Sequence, residues 1–334
     1  MKIVFVHLGP GPAPHLWRNI RRFCELFPTQ KPTLILSDIR HNKNVDSNKV
    51  GLHLYQTASE TESQLSKLSS NVKFRSGFWR YSIERFYAIR DFHKIDPTTP
   101  VLHFESDVLP LPNFPFEKFL SIKNLAWENF SASHDVSAIL YSNSYDDSKW
   151  LVDEINHELS ENADLTDMTA LSEISRSNSD RVEILPTDST LSEPNRFGGI
   201  FDAAAIGMWL NGRDPRNHLG FVKRFLPLPE SSVDASKFRY RSTGNGSLYL
   251  NNDKGTNLEL FNLHVHSKRR GLMGKHWRVV LFFDVTTSRI RIMRSWFSPV
   301  SFAFILKDYI ARNGINLKNL GKTLRILTRD KNAN

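Results

Sequence analysis

Two carboxylates stand where an apolar run ends, in the segment PVLHFESDVLPLP that covers residues 100–112. Glu105 and Asp107 are two residues apart, so on an extended segment both side chains point to the same side. Carboxylate oxygens at this spacing suit a hard divalent cation such as Mg²⁺ or Mn²⁺, which keeps other positions open for substrate phosphates. The alternative is ordinary turn chemistry, in which the two acids only bind nearby backbone groups.

A pair of histidines lies far along the chain, in the segment FNLHVHSKRRG. His264 and His266 are two residues apart on a strand-like stretch, so they share a face. Imidazole is an acceptable third ligand for Mn²⁺, although either histidine could instead be a half-buried strand residue with a backbone partner. A zinc site is not favoured, because Cys24 is the only cysteine and no His-Glu-x-x-His motif is present.

A β-α-β pattern at the start of the chain has to position these residues. The runs KIVFVHLG and TLILSD predict two strands, and Leu16, Ile20, Phe23 and Phe27 recur between them at helical spacing. A later strand, TPVLHF, leads directly into the acidic segment. In open α/β sheets, ligands bind beyond the carboxyl ends of the strands. The pattern therefore predicts an α/β fold, with a mostly parallel sheet flanked by helices and the acidic segment at its ligand-binding edge.

The charge distribution separates the body of the chain from its end. Residues 268–334 contain fifteen Lys and Arg against three Asp, a net charge of +12, whereas the whole chain carries +9. The segment SFAFILKDYIARNG also has helical apolar spacing. We expect a basic helical C-terminal tail over residues 286–334 that binds an anionic membrane surface or packs on the main domain. No nucleic-acid-binding motif is present, so no nucleic acid partner is expected.

The order of elements and the acidic segment together resemble glycosyltransferases of the GT-A type, in particular those like glycogenin and lipopolysaccharide galactosyltransferases. HFESD stands where those enzymes carry an Asp-x-Asp motif, with Glu105 replacing the first Asp. The resemblance covers roughly the first 275 residues. It implies a single Rossmann-like GT-A domain, placed here at residues 1–285 with a peripheral helical insertion at about 144–180, and a bound Mn²⁺ or Mg²⁺.

The resemblance also implies roles for individual residues. The metal ligands would be Glu105, Asp107 and His266, with His264 as the alternative histidine. The nucleotide-sugar donor would be contacted by residues at two strand ends, on the helix before the acidic strand, in the acidic segment and beside the histidines: His7, Leu8, Gly9, Asp38, Arg85, Glu105 and Lys268.

The acceptor side is expected around the segment FGGIFDAAAIG. Gly198 and Gly199 would allow a sugar to approach the backbone closely. Asp202 either caps the helix that follows or, if it faces the cleft, acts as the catalytic residue that orients the acceptor hydroxyl or removes its proton. Asp188 and Glu193 are the rivals for that role.

The function expected from these features is transfer of a sugar from a nucleotide-diphosphate donor to a hydroxyl of a glycan or lipid-linked acceptor, in cell-surface polysaccharide synthesis. The single cysteine agrees with a cytoplasmic location, at the inner face of the membrane if the tail binds lipid. One alternative is a nucleotidyltransferase, which uses the same sheet and metal chemistry. The other is a non-catalytic scaffold that binds carbohydrate or membrane.

Overall fold

A computed structural model of the protein describes residues 1–9, 14–38, 46–68, 77–187, 195–211, 231–235, 238–251 and 257–266. The predicted C-terminal tail and Lys268 lie outside these residues, as do Asp188 and Glu193. The boundary placed at residue 285 therefore stays a prediction.

The described residues form both strands and helices. The strands are β1 (Lys2–His7), β2 (Thr33–Leu36), β3 (Gly51–Leu54), β4 (Val101–Phe104), β5 (Val108–Pro110), β6 (Leu125–Ser131), β7 (His134–Ser142), β8 (Val182–Leu185), β9 (Gly199–Ile200), β10 (Arg239–Ser242), β11 (Leu248–Asn251), β12 (Asn257–Leu260) and β13 (Asn262–His264). The helices are α1 (Pro14–Leu26), α2 (Ser59–Leu65), α3 (Phe78–His93), α4 (Phe116–Phe119), α5 (Tyr145–Glu161), α6 (Asp167–Ser177) and α7 (Ala205–Asn211).

Seven strands form the main sheet, in the order β3-β2-β1-β4-β7-β6-β8. The neighbours from β3 to β4 are parallel, as are β6 and β8, whereas β7 runs antiparallel to both β4 and β6. The ends of β1, β2 and β4 therefore meet at one edge. A four-stranded sheet, β10-β11-β12-β9, and the antiparallel pair β5–β13 complete the described strands.

Helices cover both faces of the main sheet because successive strand residues point in opposite directions. Ile3 and Phe5 pack in one apolar cluster with the buried face of α1, whereas Val4 packs in a second cluster with α3, α5 and α6. The predicted α/β fold, with a mostly parallel sheet flanked by helices, is confirmed. No helix within the described part of the chain has both the length and the apolar character needed to span a bilayer.

One buried histidine on α3 gives the fold a testable pH dependence. The side chain of His93 is 1% exposed, and its Nδ1 shares a hydrogen bond of 2.8 Å with Ser148 Oγ. Burial lowers the pKa of His93 from its usual 6.5 to about 4, because the interior disfavours the imidazolium. As the pH falls, His93 therefore binds a proton near pH 6.5 in the unfolded chain but only near pH 4 in the folded chain.

Protonation of His93 does not destabilise the fold above pH 6.5. As the pH falls from 6.5 to 4, the free energy of unfolding decreases, because the unfolded chain binds the proton more readily. Between pH 7 and pH 5, the free energy of unfolding should fall by about 2 kcal/mol through this residue alone. Urea unfolding of wild type and His93→Met at pH 7 and pH 5 measures this fall in the free energy of unfolding. The variant should lose about 2 kcal/mol less than wild type over this interval; equal losses in the two proteins would contradict the assignment.

Candidate metal centre

The acidic segment lies at the carboxyl end of β4, as its position in the sequence predicts. The backbone N–H of Glu105 still donates to Ala138 on β7 (3.0 Å), and the chain then reverses in a turn in which the N–H of Val108 donates to the Glu105 carbonyl (3.1 Å). The side chains of Glu105 and Asp107 are only 18% and 10% exposed. Two carboxylates this close and this shielded require positive charge nearby.

His264 supplies that positive charge from a strand that comes much later in the chain. Strand β13 pairs antiparallel with β5 so that His264 lies opposite Val108, and the N–H of Val265 donates to the Asp107 carbonyl (2.8 Å). The ring Nδ1 donates to the Ala203 carbonyl at 2.7 Å. Because that hydrogen bond fixes the ring, Nε2 points at the carboxylates, 3.5 Å from Asp107 Oδ1 and 3.6 Å from Glu105 Oε2.

The three side chains fit a single divalent cation. One ligand atom from each of Glu105, Asp107 and His264 can be chosen so that all three lie within 4.8 Å of one another. Bonds of about 2.0–2.2 Å to one ion place its ligand atoms at most about 4.4 Å apart, so small side-chain rotations are enough. The two carboxylates supply the hard oxygen ligands that Mn²⁺ and Mg²⁺ prefer, and the imidazole is an acceptable third ligand for Mn²⁺. A second ring nitrogen held by a carbonyl is typical of metal-binding histidines.

The two carboxylates change the protonation of His264. Burial by itself would lower the pKa of the imidazole, but the charge of Asp107, its hydrogen bond and the charge of Glu105 outweigh burial and raise the pKa to about 10. At neutral pH, the ring is therefore an imidazolium as long as no cation is bound. A cation that takes Nε2 as a ligand displaces this proton.

Arg85 lies beside the cluster and holds Glu105. Its guanidinium forms ion pairs with Glu105 Oε1 and with Asp167 Oδ2, the latter at 2.6 Å. Glu105 therefore uses one oxygen for Arg85 and turns the other towards His264. The sequence predicted a donor contact for Arg85; in the structure, its described ion pairs are with carboxylates at the edge of the cluster.

Asp167 is a residue of this site that the sequence analysis missed. It is the first residue of α6, where an acidic side chain is ordinary helix-capping chemistry, so no signal in the sequence distinguished it. Glu128 was also missed. It is fully buried on β6, and burial, opposed by the hydrogen bond from Ile139 N, raises its pKa well above the usual value; the charges of Glu105 and His264 also act on it.

Removing the charge of Asp167 should weaken cation binding. In Asp167→Asn, Arg85 would lose one of its two described ion pairs and draw Glu105 away from the cluster, so we expect about 3- to 10-fold weaker Mn²⁺ binding. Titration of Mn²⁺ followed by its electron paramagnetic resonance measures this. Asp91→Asn is the control, since Asp91 pairs with Arg90 on the same helix. Equal Mn²⁺ affinities for Asp167→Asn and wild type would contradict the role given to Arg85.

Asp202 is buried in the segment just before α7, next to the backbone of His264. Its Oδ1 accepts from the N–H of Ile206 (3.0 Å), and its Oδ2 accepts from the N–H groups of Gly207 (2.7 Å) and His264 (2.9 Å). Burial raises its pKa to about 6, although these donors and His264 oppose the rise. Asp202 thus caps α7 and ties it to β13, so these contacts favour the capping alternative. Its predicted role as catalytic base stays a prediction.

The remaining predicted donor residues lie at the strand ends. His7 ends β1, and the N–H of Gly9 donates to Ser37 Oγ (3.1 Å), directly after β2. Gly9 has a φ of 104°, and a Cβ there would lie 3.0 Å from the ring of Tyr81, which explains the glycine. Leu8 and Asp38 follow β1 and β2 at the same edge of the main sheet as the acidic segment.

His266, the histidine favoured as ligand by the resemblance, is outside the metal-ligand group found in the described part of the chain. Its ring centroid lies 5.9 Å from that of His264. The structure therefore brings together Glu105, Asp107 and the alternative histidine, His264.

Comparisons with known proteins reach only distant structures. No protein-family model matches the chain, and no curated protein sequence matches it. Three solved structures similar to it are glycosyltransferases. One is the galactosyltransferase LgtC in complex with donor and acceptor sugar analogs, at 12% identity and a TM-score of 0.41 over 56% of this chain and 73% of that one.

The other two are mouse xyloside xylosyltransferase 1 and GlyE of Streptococcus pneumoniae TIGR4. The first has 11% identity and a TM-score of 0.37 over 59% of this chain and 91% of that one. The second has 14% identity and a TM-score of 0.34 over 62% of this chain and 47% of that one. With identities this low and TM-scores below 0.5, the similarities do not by themselves assign an activity to this chain.

Proposed function

We propose that the protein is a glycosyltransferase that depends on Mn²⁺ or Mg²⁺ and uses a nucleotide-diphosphate sugar as donor. The observation that supports this most is the meeting of Glu105, Asp107 and His264 at the carboxyl edge of a mostly parallel sheet. Ligands of open α/β sheets bind at this edge, and a cluster of two carboxylates and an imidazole binds a cation that can also bind phosphates.

The chain's own groups divide the work around the diphosphate. Asp107, Glu105 and His264 would hold the cation, which when bound supplies positive charge that stabilises the departing nucleoside diphosphate. Arg85 keeps Glu105 in place through its ion pair. The strand ends at His7 and Asp38 would receive the nucleoside part of the donor, since they belong to the same sheet edge.

The acceptor in this proposal is a hydroxyl of a glycan or a lipid-linked sugar, and the process is cell-surface polysaccharide synthesis. The basic segment from residue 268 onwards would hold the protein at an anionic cytoplasmic leaflet, close to a lipid-linked acceptor. A vesicle-binding assay with and without phosphatidylserine, on the full chain and on a chain ending at residue 267, tests the membrane part separately from the transfer reaction.

A donor screen tests the proposed transfer reaction. Thermal shifts would be recorded with a panel of nucleoside diphosphates and nucleotide sugars, with and without Mn²⁺, and each stabilising nucleotide sugar would then be tested for transfer or slow hydrolysis. We expect a stabilising nucleotide that requires Mn²⁺ and a released nucleoside diphosphate. Pyrophosphate as the product would instead indicate a nucleotidyltransferase, and Mn²⁺-independent or absent nucleotide binding would indicate the scaffold.

A further inference from the structure

Helix α1 carries three polar side chains on one face, although the rest of that face is packed in the core. His15, Asn19 and Arg22 follow each other at spacings of four and three, so they lie in one row along the helix. Asn19 is 0% exposed and Arg22 is 1% exposed. Burying an amide and a guanidinium is unfavourable unless their hydrogen-bonding groups find partners.

The row makes its hydrogen bonds with the segment that follows Glu105. Asn19 Nδ2 donates to the carbonyls of Ser106 (3.3 Å) and Val108 (2.5 Å). Arg22 Nη1 donates to the carbonyl of Pro110 (2.8 Å). Val108 and Pro110 alternate along β5, so their carbonyls leave the same edge of the strand, and Ser106 lies in the turn just before it.

Two further contacts tighten this arrangement. His15 Nε2 shares a hydrogen bond of 3.1 Å with Ser106 Oγ, between the two acidic residues of the turn. Arg22 Nη2 donates to Asn19 Oδ1 (3.2 Å). Because that oxygen is occupied by Arg22, the amide of Asn19 is oriented with its donating nitrogen towards β5.

The opposite edge of β5 carries His264. Strand β13 pairs with β5 through the register Pro110 to Asn262 and Val108 to His264, and the carbonyl of Asp107 accepts from Val265. Strand β5 is therefore held between the polar row of α1 on one side and β13 on the other. The position of β5 therefore determines the position of Asp107, which directly precedes it, and that of His264, which lies opposite Val108 on β13.

We propose that Asn19 and Arg22 are positioning residues for the metal centre, which act by fixing β5 against α1. Through β5, they set the separation between the Asp107 carboxylate and the His264 imidazole. This inference rests on the proposed function, because it requires that the cluster binds a cation. It predicts that changes on α1, which supplies no ligand, alter the affinity for Mn²⁺ itself.

The test compares the Mn²⁺ affinity of folded variants. Asn19→Leu keeps the branched shape and the number of heavy atoms of the side chain, and it removes the hydrogen bonds to Ser106 and Val108. We expect at least a tenfold loss of Mn²⁺ affinity in the protein that remains folded, measured by Mn²⁺ titration alongside urea unfolding. Asn156→Leu is the matched control. Asn156 lies on α5, away from β5, and the change removes the hydrogen bond that Asn156 accepts from Tyr87. It should leave the Mn²⁺ affinity within twofold of wild type.

A second pair of variants covers the case in which Asn19→Leu does not fold. Arg22→Lys keeps one donor for the Pro110 carbonyl and should retain more Mn²⁺ affinity than Arg22→Gln. Folded Asn19→Leu, or folded Arg22→Gln, with wild-type Mn²⁺ affinity and only lower stability would overturn the positioning role and leave the proposed function standing. Wild-type protein that binds no Mn²⁺ would overturn both.

Discussion

Asp107→Asn is expected to weaken Mn²⁺ binding by at least about 100-fold and to abolish Mn²⁺-dependent nucleotide binding. Both the carboxylate and the backbone of Asp107 are held in the cluster: the carboxylate lies 3.5 Å from His264 Nε2, and the carbonyl accepts from the N–H of Val265. An amide keeps the size of the side chain but removes the charge that a hard cation requires.

The measurement is a Mn²⁺ titration followed by nucleoside-diphosphate binding at saturating Mn²⁺. Asp153→Asn is a suitable control, because Asp153 forms an exposed ion pair with Lys149 on α5, so the charge change is the same without a change at the cluster. Asp107→Asn with wild-type affinity for Mn²⁺ would place the cation elsewhere.

Gly207→Ala is expected to damage both the stability and the metal centre. A Cβ at Gly207 would lie 2.0 Å from the carbonyl oxygen of His264 and 2.8 Å from Asp202 Oδ2. Contacts this short involve backbone, so α7 and β13 must separate, and this costs about 3 kcal/mol or more of unfolding free energy. The separation also breaks the hydrogen bonds through which Asp202 holds His264.

Urea unfolding and Mn²⁺ titration of the same variant check this prediction. Gly244→Ala provides a matched control, since a Cβ there meets no atom within 4 Å, and it should change the stability by less than about 0.5 kcal/mol. Gly207→Ala with the stability and Mn²⁺ affinity of Gly244→Ala would show that α7 and β13 do not pack as described.

The sequence could predict the features that depend on short stretches of chain. Leu16, Ile20 and Phe23 have helical spacing, and all three are buried in α1. The acidic segment follows an apolar run, and it lies at the end of β4. Local periodicity and the geometry of parallel sheets are sufficient for both conclusions.

The choice between the histidines could not be made from the sequence. On an extended stretch, residues two apart would share a face, so the local pattern treats His264 and His266 alike. The antiparallel register between β13 and β5 determines which histidine reaches the carboxylates, because it places His264 opposite Val108. This register joins segments more than 150 residues apart in the chain. Asp167 was missed for the same reason, since its pairing with Arg85 exists only after α3 and α6 have packed together.

In the proposed metal centre, Glu105, Asp107 and the ring of His264 hold one cation. Pulsed electron paramagnetic resonance of the Mn²⁺-loaded protein tests this coordination most directly, because a directly bound imidazole nitrogen couples to the Mn²⁺ electron spin. We predict one such nitrogen coupling, present in wild type and His266→Gln and lost in His264→Gln. A spectrum without nitrogen coupling, or a coupling that survives His264→Gln and disappears in His266→Gln, would show that His264 is not a ligand of the cation.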